Sequence, residues 1–217
     1  MKQQTLFQED LFEVVSSKEQ LGKAWKLVKA NRGAPGMDGV VVGDFGKNLE
    51  WELETLSKEL RSWEYAPKPV LRVEIPKPGS SDKRKLGIPT VRDRVVQQSL
   101  KLALEPIFDP EFSNSSHGFR PGRGQQTAIA QAEELVKLGK EWVVDIDLEK
   151  FFDRINQDRV IHLLAKRIND KRILKLVGMT MRSGILAKGQ ILPSLEGSPQ
   201  GSPLSPLLSN VVLDELD

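Results

Sequence analysis

Residues 142–153 read WVVDIDLEKFFD. Trp142, Val143, Val144 and Ile146 are aromatic or β-branched, the types a pleated strand favours. Asp145 and Asp147 interrupt that apolar run, and Phe151, Phe152 and Asp153 follow it. Side chains of a strand alternate between faces, so the two aspartates share one face. Carboxylates in an apolar strand are costly unless they are hydrogen-bonded, paired or holding a cation. Mg²⁺ prefers carboxylate and phosphate oxygens, and two such ions about 4 Å apart can drive phosphoryl transfer. A lone D-x-D more often marks a strand end or a turn, so a metal reading needs partners elsewhere in the chain.

Working outward, the segments around this stretch mix helices with short strands and show no regular βαβ alternation, which points to an α+β fold. SSKEQLGKAWKLVKANRG reads as a helix, with Ser17 and Gln20 in a capping-box pattern and Gly33 as its stop. NRGAPGMDGV, with glycines at 33, 36 and 39, reads as a loop that brings backbone close to something or changes direction. Leu49, Leu53, Leu56, Leu60 and Trp63 fall on one face of a second helix. In KPVLRVEIPKPGSSDKRKLGIPT, Leu71, Val73 and Ile75 alternate with Arg72 and Glu74, and RKLGIP returns: a hairpin. Thr90 and Asp93 open a helix, SNSSHGFRPGRGQQT is a polar loop, and QTAIAQAEELVKLG is helical. EWVVDIDL is expected as a strand. Asn156 caps the next helix, KRILKLVGMTMRSG continues helical, and GILAKGQILPSLEG resembles a short hairpin. SPQGSPLSPLLSNVVLDELD is a tight loop followed by a helix, with Ser205 as cap and Pro206 in the first turn.

The 217 residues, 39% hydrophobic and 29% charged, describe an ordinary globular chain. No apolar run approaches the ~18 residues of a membrane span. The N-terminus carries acidic residues where a signal peptide would be apolar, so a cytoplasmic protein is expected. The absence of cysteine excludes a disulfide framework and a thiolate zinc site. Net charge is only +2, yet residues 68–94 hold eight basic residues against three acidic ones. A local basic face on a near-neutral chain suits a polyanion, although charge by itself more often means a solvated surface. His117 and His162 lack neighbours that would make a metal site, and no Ser–His–Asp arrangement is present.

RVEIPKPGSSDKRKLGIPTVRDRVVQQSL, FSNSSHGFRPGRGQQTAI, WVVDIDLEKFFDRINQDRV and EGSPQGSPLSPLLSNVVLDELD follow one another in this order. Together they resemble the successive fingers and palm motifs of bacterial group II intron-type reverse transcriptases, or intron maturases. The resemblance runs from about residue 20 to 217 and implies a right-hand polymerase fold. Helices would pack on a small antiparallel sheet, with the basic hairpin projecting. Residues 1–40 would be an N-terminal helical extension and Gly-rich loop, 41–140 the fingers and 141–217 a partial palm.

The family pattern D-x-x-x-x-F-D falls on Asp147, Phe152 and Asp153. By resemblance, Asp147 is the metal-binding catalytic carboxylate and the Leu148 carbonyl a further ligand for Mg²⁺. Phe152 would lie under the sugar of the incoming nucleotide, with Phe151 the competing assignment. Gln200 and Gly201 match the loop beside nucleotide and template base, and Lys77 and Arg84 the fingers residues that grip the triphosphate. Arg72, Arg120 and Arg123 would contact template backbone or nucleotide. Asp145 receives no family role. The family's Tyr-Ala-Asp-Asp strand, which completes the two-metal site, has no counterpart before Asp217. The expectation is therefore a fingers and partial-palm fragment, inactive by itself, of an RNA-directed DNA polymerase that uses intron RNA, primer DNA and dNTPs. It would also leave an exposed sheet edge through which two copies could pair. The other readings are a non-catalytic RNA-binding splicing factor on a polymerase scaffold, and a retron or CRISPR-associated reverse transcriptase.

Overall fold

The structure is a computed structural model that describes residues 11–76, 79 and 83–216. Helices α1 (Leu11–Ser16), α2 (Lys18–Ala30), α3 (Val42–Lys47) and α4 (Leu49–Ser62) precede a hairpin of β1 (Val70–Pro76) and β2 (Lys83–Ile88). Then come α5 (Val91–Phe108), α6 (Gln125–Lys137), the single turn α7 (Phe151–Arg154), α8 (Gln157–Ala165) and α9 (Lys171–Met181). A small hairpin of β3 (Ile185–Ala187) and β4 (Gln190–Leu192) leads to α10 (Ser205–Leu213).

The central element is α5, packed against α1, α2, α3, α9 and α10. Thr90 caps it by accepting from Asp93 N–H at 3.1 Å, and the Asp93 carboxylate accepts from Thr90 and Tyr65 hydroxyls, each at 2.7 Å. Burial raises the Asp93 carboxyl above its ordinary value, and those hydroxyl donors together with Lys68 N–H partly offset that. One apolar cluster runs from Leu11 to Val211 and includes Leu53, Leu56 and Leu60 of α4. Each fully buried leucine of this kind contributes about 2 kcal/mol, and truncating one to alanine costs about 3 kcal/mol. Ser17 caps α2 and Asn156 caps α8, each accepting a backbone N–H three residues on.

The four-stranded sheet has the order β2-β1-β3-β4. β1 pairs antiparallel with β2, from Leu71↔Ile88 to Pro76↔Lys83, and β3 pairs antiparallel with β4. β1 and β3 run parallel, Val70↔Ile185 and Leu71↔Leu186, so the sheet is mixed rather than wholly antiparallel. The chain between them is long enough for the crossover that a parallel pair requires. Three local expectations also change. Asn31 rather than Gly33 closes α2, Leu204 rather than Ser205 is the N-cap of α10, and residues 141–148 form no strand. In the last case Trp142 is 96% exposed and Ile146 79%. A strand exists only by pairing, and among the described residues no other segment hydrogen-bonds to this run. No described helix is long and apolar enough to cross a membrane.

Candidate functional site

A cleft of about 780 Å³ opens between the β1–β2 hairpin, the α7 turn and residues 193–200. Arg72, Lys83, Arg84, Lys85, Lys150 and Arg154 line it, against Asp153 and Glu196. The excess of positive charge suits a phosphate chain, with arginine as a bidentate fork and lysine as a point charge. Phe152 and Gln200 also line the cleft, whereas Phe151 does not. The two rings meet edge to face, 5.9 Å apart, and both also pack against the core. The site therefore gathers Arg72, Arg84, Phe152 and Gln200, with Gly201 next in the chain.

Backbone contacts fasten these pieces together. Gly87 N–H of β2 donates to the Gln200 carbonyl at 2.8 Å. A Cβ on Gly201, where φ is +119°, would stand 2.8 Å from the Gly87 carbonyl oxygen, and one on Gly87 would stand 3.1 Å from Pro199. Gly201 needs glycine for that close approach, and at Gly87 a side chain would press on Pro199. Across the cleft, Ser198 N–H donates to the Phe152 carbonyl and Gly197 N–H to the Ile155 carbonyl, each at 2.8 Å. Lys150 enters the α7 turn at φ 53°, an uncommon left-handed conformation for a residue with a side chain. The Ser205 hydroxyl donates to the Pro199 carbonyl at 2.9 Å and Ser202 to Gln97 at 2.9 Å, so the polar serines of this segment act as tethers. Gly87, Gly197 and Ser198 are the parts of the site that motif reading passed over. Their signal lay in the sequences L-G-I-P and E-G-S-P-Q-G.

The other marked residues lie elsewhere. Asp145, Asp147 and Leu148 sit on the exposed segment 141–150 and do not line the cleft. Reverse transcriptases use divalent metal ions. Among the described residues no three His, Cys, Asp or Glu side chains converge into a metal site, so the residues present do not complete one. Arg120 is buried, its guanidinium donating to the Asp109 carboxylate at 2.8 Å and to the carbonyls of Asp109, Ser113 and Ser116 at 2.7, 2.6 and 3.1 Å. Arg123 donates to the Asn114 and Ser116 carbonyls. Both arginines thus shape the loop between α5 and α6. His117 bonds Thr127 and Gln131 of α6. Lys77 lies outside the described residues. A separate groove of about 830 Å³ beside α8 and α9 is floored by Ile161 and Leu174 and holds none of the marked residues.

A family model described as reverse transcriptase (RNA-dependent DNA polymerase) matches residues 75–217. Protein YkfC of Escherichia coli K12 is 37% identical over 213 residues, which is 95% of this chain and 56% of that protein. The group II intron-encoded protein LtrA of Lactococcus lactis is 34% identical over 194 residues, 89% of this chain and 32% of LtrA. Among solved structures, a chain of a partial Cas6-RT-Cas1–Cas2 complex superposes with a TM-score of 0.64 at 23% identity, covering 95% of this chain and 34% of that one. That last likeness shows a shared fold.

Proposed function

The chain belongs to the reverse transcriptase family, on its group II intron-type side, and from that premise we propose that the whole protein is an RNA-directed DNA polymerase that also binds and helps splice its intron RNA. Residues 1–40 form the N-terminal extension, 41–140 the fingers and 141–217 the first part of the palm. The observation that carries this reading is the basic cleft that holds Arg72, Arg84, Phe152 and Gln200 together.

In this reading the triphosphate of an incoming dNTP lies along Arg84 and its neighbours, and Lys77 keeps the triphosphate role that the family motif gives it. Charge developing on the phosphates is met by fixed cations that need no reorganisation. Phe152, the phenylalanine that lines the cleft, packs under the sugar and excludes a 2′-hydroxyl. Gln200 and Gly201 meet the nascent base pair, and Arg72 holds template or nucleotide phosphate. Arg120 and Arg123 act on the template through the loop they shape. Asp147 is the catalytic carboxylate, with the Leu148 carbonyl beside it as a Mg²⁺ ligand; the described residues do not complete that Mg²⁺ site. Exposed Trp142, Val144 and Ile146 lie on a run that forms no strand by itself and offers a second copy an apolar segment to pair with, and light scattering on residues 1–217 tests this: a dimer supports it and a monomer contradicts it.

RNA-templated extension of a DNA primer by the whole protein tests the polymerase reading. Extension with dNTPs supports it. Salt-dependent intron binding with no extension supports the scaffold reading instead. A CRISPR-associated reverse transcriptase shares the fold, and a lack of preference for intron RNA would favour it.

A further inference from the structure

Gln157, the first residue of α8, is 3% exposed and lies outside the cleft lining. Its side-chain amide nitrogen faces oxygens of three residues, Met181 at the end of α9 and Ser194 and Gly197 in the segment 193–200. It donates to the Gly197 carbonyl at 3.1 Å and the Met181 carbonyl at 3.2 Å, and it lies 3.4 Å from both the carbonyl and the hydroxyl of Ser194. Its amide oxygen is buried with no hydrogen-bond partner among the described residues. A neutral side chain kept with an unpaired acceptor is held there by its donors, since a buried polar atom without a partner is destabilising.

Besides Met181, those donors act on the segment 194–197. Gly197 is wedged at φ +80°, and a Cβ there would stand 2.7 Å from the Asp153 carbonyl oxygen. Its N–H donates to the Ile155 carbonyl and its own carbonyl accepts from Gln157, so the peptides on either side of Gly197 are fixed to the end of the α7 turn and the start of α8. The next residue, Ser198, donates to Phe152, and Gln200 follows two residues later. The spacing across the cleft between the Phe152 ring and Gln200 is thereby set from behind by Gln157.

We propose that Gln157 is a positioning residue for nucleotide selection: its amide fixes Ser194 to Gly197 and so holds Gln200 at a set distance from Phe152. The inference rests on the polymerase reading, because it takes the Phe152–Gln200 gap as the nucleotide pocket. A purely structural residue would be replaceable by a side chain of equal length and apolar character. A positioning donor would not.

The test compares Gln157→Met with Gln157→Glu in the whole protein. Methionine keeps the length and removes both the donors and the unpaired oxygen, and glutamate keeps the shape and turns the donors into acceptors. Both variants should raise KM for dNTP by on the order of 10-fold, leave primer–template affinity within about 2-fold, and speed hydrogen exchange at the Gly197 and Ser198 amides. Gln157→Met removes one unpaired oxygen but leaves the Gly197 and Met181 carbonyls without their donor, so its melting temperature should fall by about 3 °C, while exchange quickens at Gly197 and Ser198 more than at other core amides, a local effect that general lost packing does not produce. Unchanged dNTP KM and unchanged Gly197 and Ser198 exchange in Gln157→Met would overturn the proposal. The exchange measurement needs no polymerase activity. Faster exchange in a protein that makes no cDNA would keep the tether and remove the polymerase reading, whereas normal exchange in an active protein would remove the tether.

Discussion

The two halves of the candidate site are built in opposite ways. On one side, the β2 backbone, the α7 turn and residues 194–201 are joined by hydrogen bonds at Gly87, Gly197 and Ser198, and two glycines allow contacts that any Cβ would block. On the other, residues 141–150, which carry Asp145 and Asp147, are exposed throughout. The basic cleft is thus preassembled within this chain, whereas the carboxylate segment pairs with no other strand among the described residues. Geometry fixed in advance can discriminate between nucleotides, whereas an open carboxylate segment keeps its charge hydrated until a partner arrives.

The comparison is broken most strongly at Asp147. Asp147→Ala in the whole protein should lower primer extension by about 10³-fold or more while leaving the melting temperature unchanged, because the side chain is exposed. Wild-type extension by that variant would remove Asp147 from the chemistry. On the fastened side, Gly197→Ala should act through stability. The added Cβ meets backbone oxygens of Phe152 and Asp153 at 2.9 and 2.7 Å in a left-handed conformation. A loss of about 3 kcal/mol is expected, a fall of about 10 °C in Tm by calorimetry.

Smaller effects sharpen the contrast. Phe152→Val should relax discrimination against ribonucleotides by on the order of 10-fold to 100-fold, and Phe151→Val should not, because only Phe152 lines the cleft. Competition between ATP and dATP in primer extension measures this. The smallest effect concerns the fold behind the site. Burial works to raise the Asp170 carboxyl, but the Arg172 guanidinium and the N–H groups of Arg172 and Phe12 outweigh it and hold the carboxyl below its ordinary value. A carboxyl lowered on folding adds stability above its unfolded value, and that stability is lost as pH falls through the lowered folded value. Asp170→Asn should therefore cost about 1–2 kcal/mol at pH 7 and flatten the loss of stability below about pH 4, as read by urea unfolding across pH.

What could be read from sequence follows the range of the forces involved. The β1–β2 hairpin, the leucine face of α4 and the caps Ser17, Thr90 and Asn156 are set by neighbours a few residues away, and the pattern of residues announces them. Arg72, Arg84, Phe152 and Gln200 were marked through family motifs and meet in one cleft. Residues 141–148 have strand composition but no partner among the described residues, so composition was not sufficient. The parallel β1–β3 pairing joins segments about a hundred residues apart, and no local pattern signals it. Arg120 stood in an exposed-looking polar loop, and only folding shows its guanidinium enclosed by carbonyls. Gln157 resembled any first-turn polar residue, because its three partners lie 24 to 40 residues downstream.

The central claim is that the incoming nucleotide occupies the cleft bounded by the basic hairpin, Phe152 and the Gln200 loop. Photo-crosslinking an azido-dNTP to the whole protein on an RNA template and DNA primer, followed by peptide mapping, tests it most directly. Adducts within residues 83–87 or 195–201 are the predicted result. Adducts confined to other surfaces, such as the groove beside α8 and α9, would contradict it.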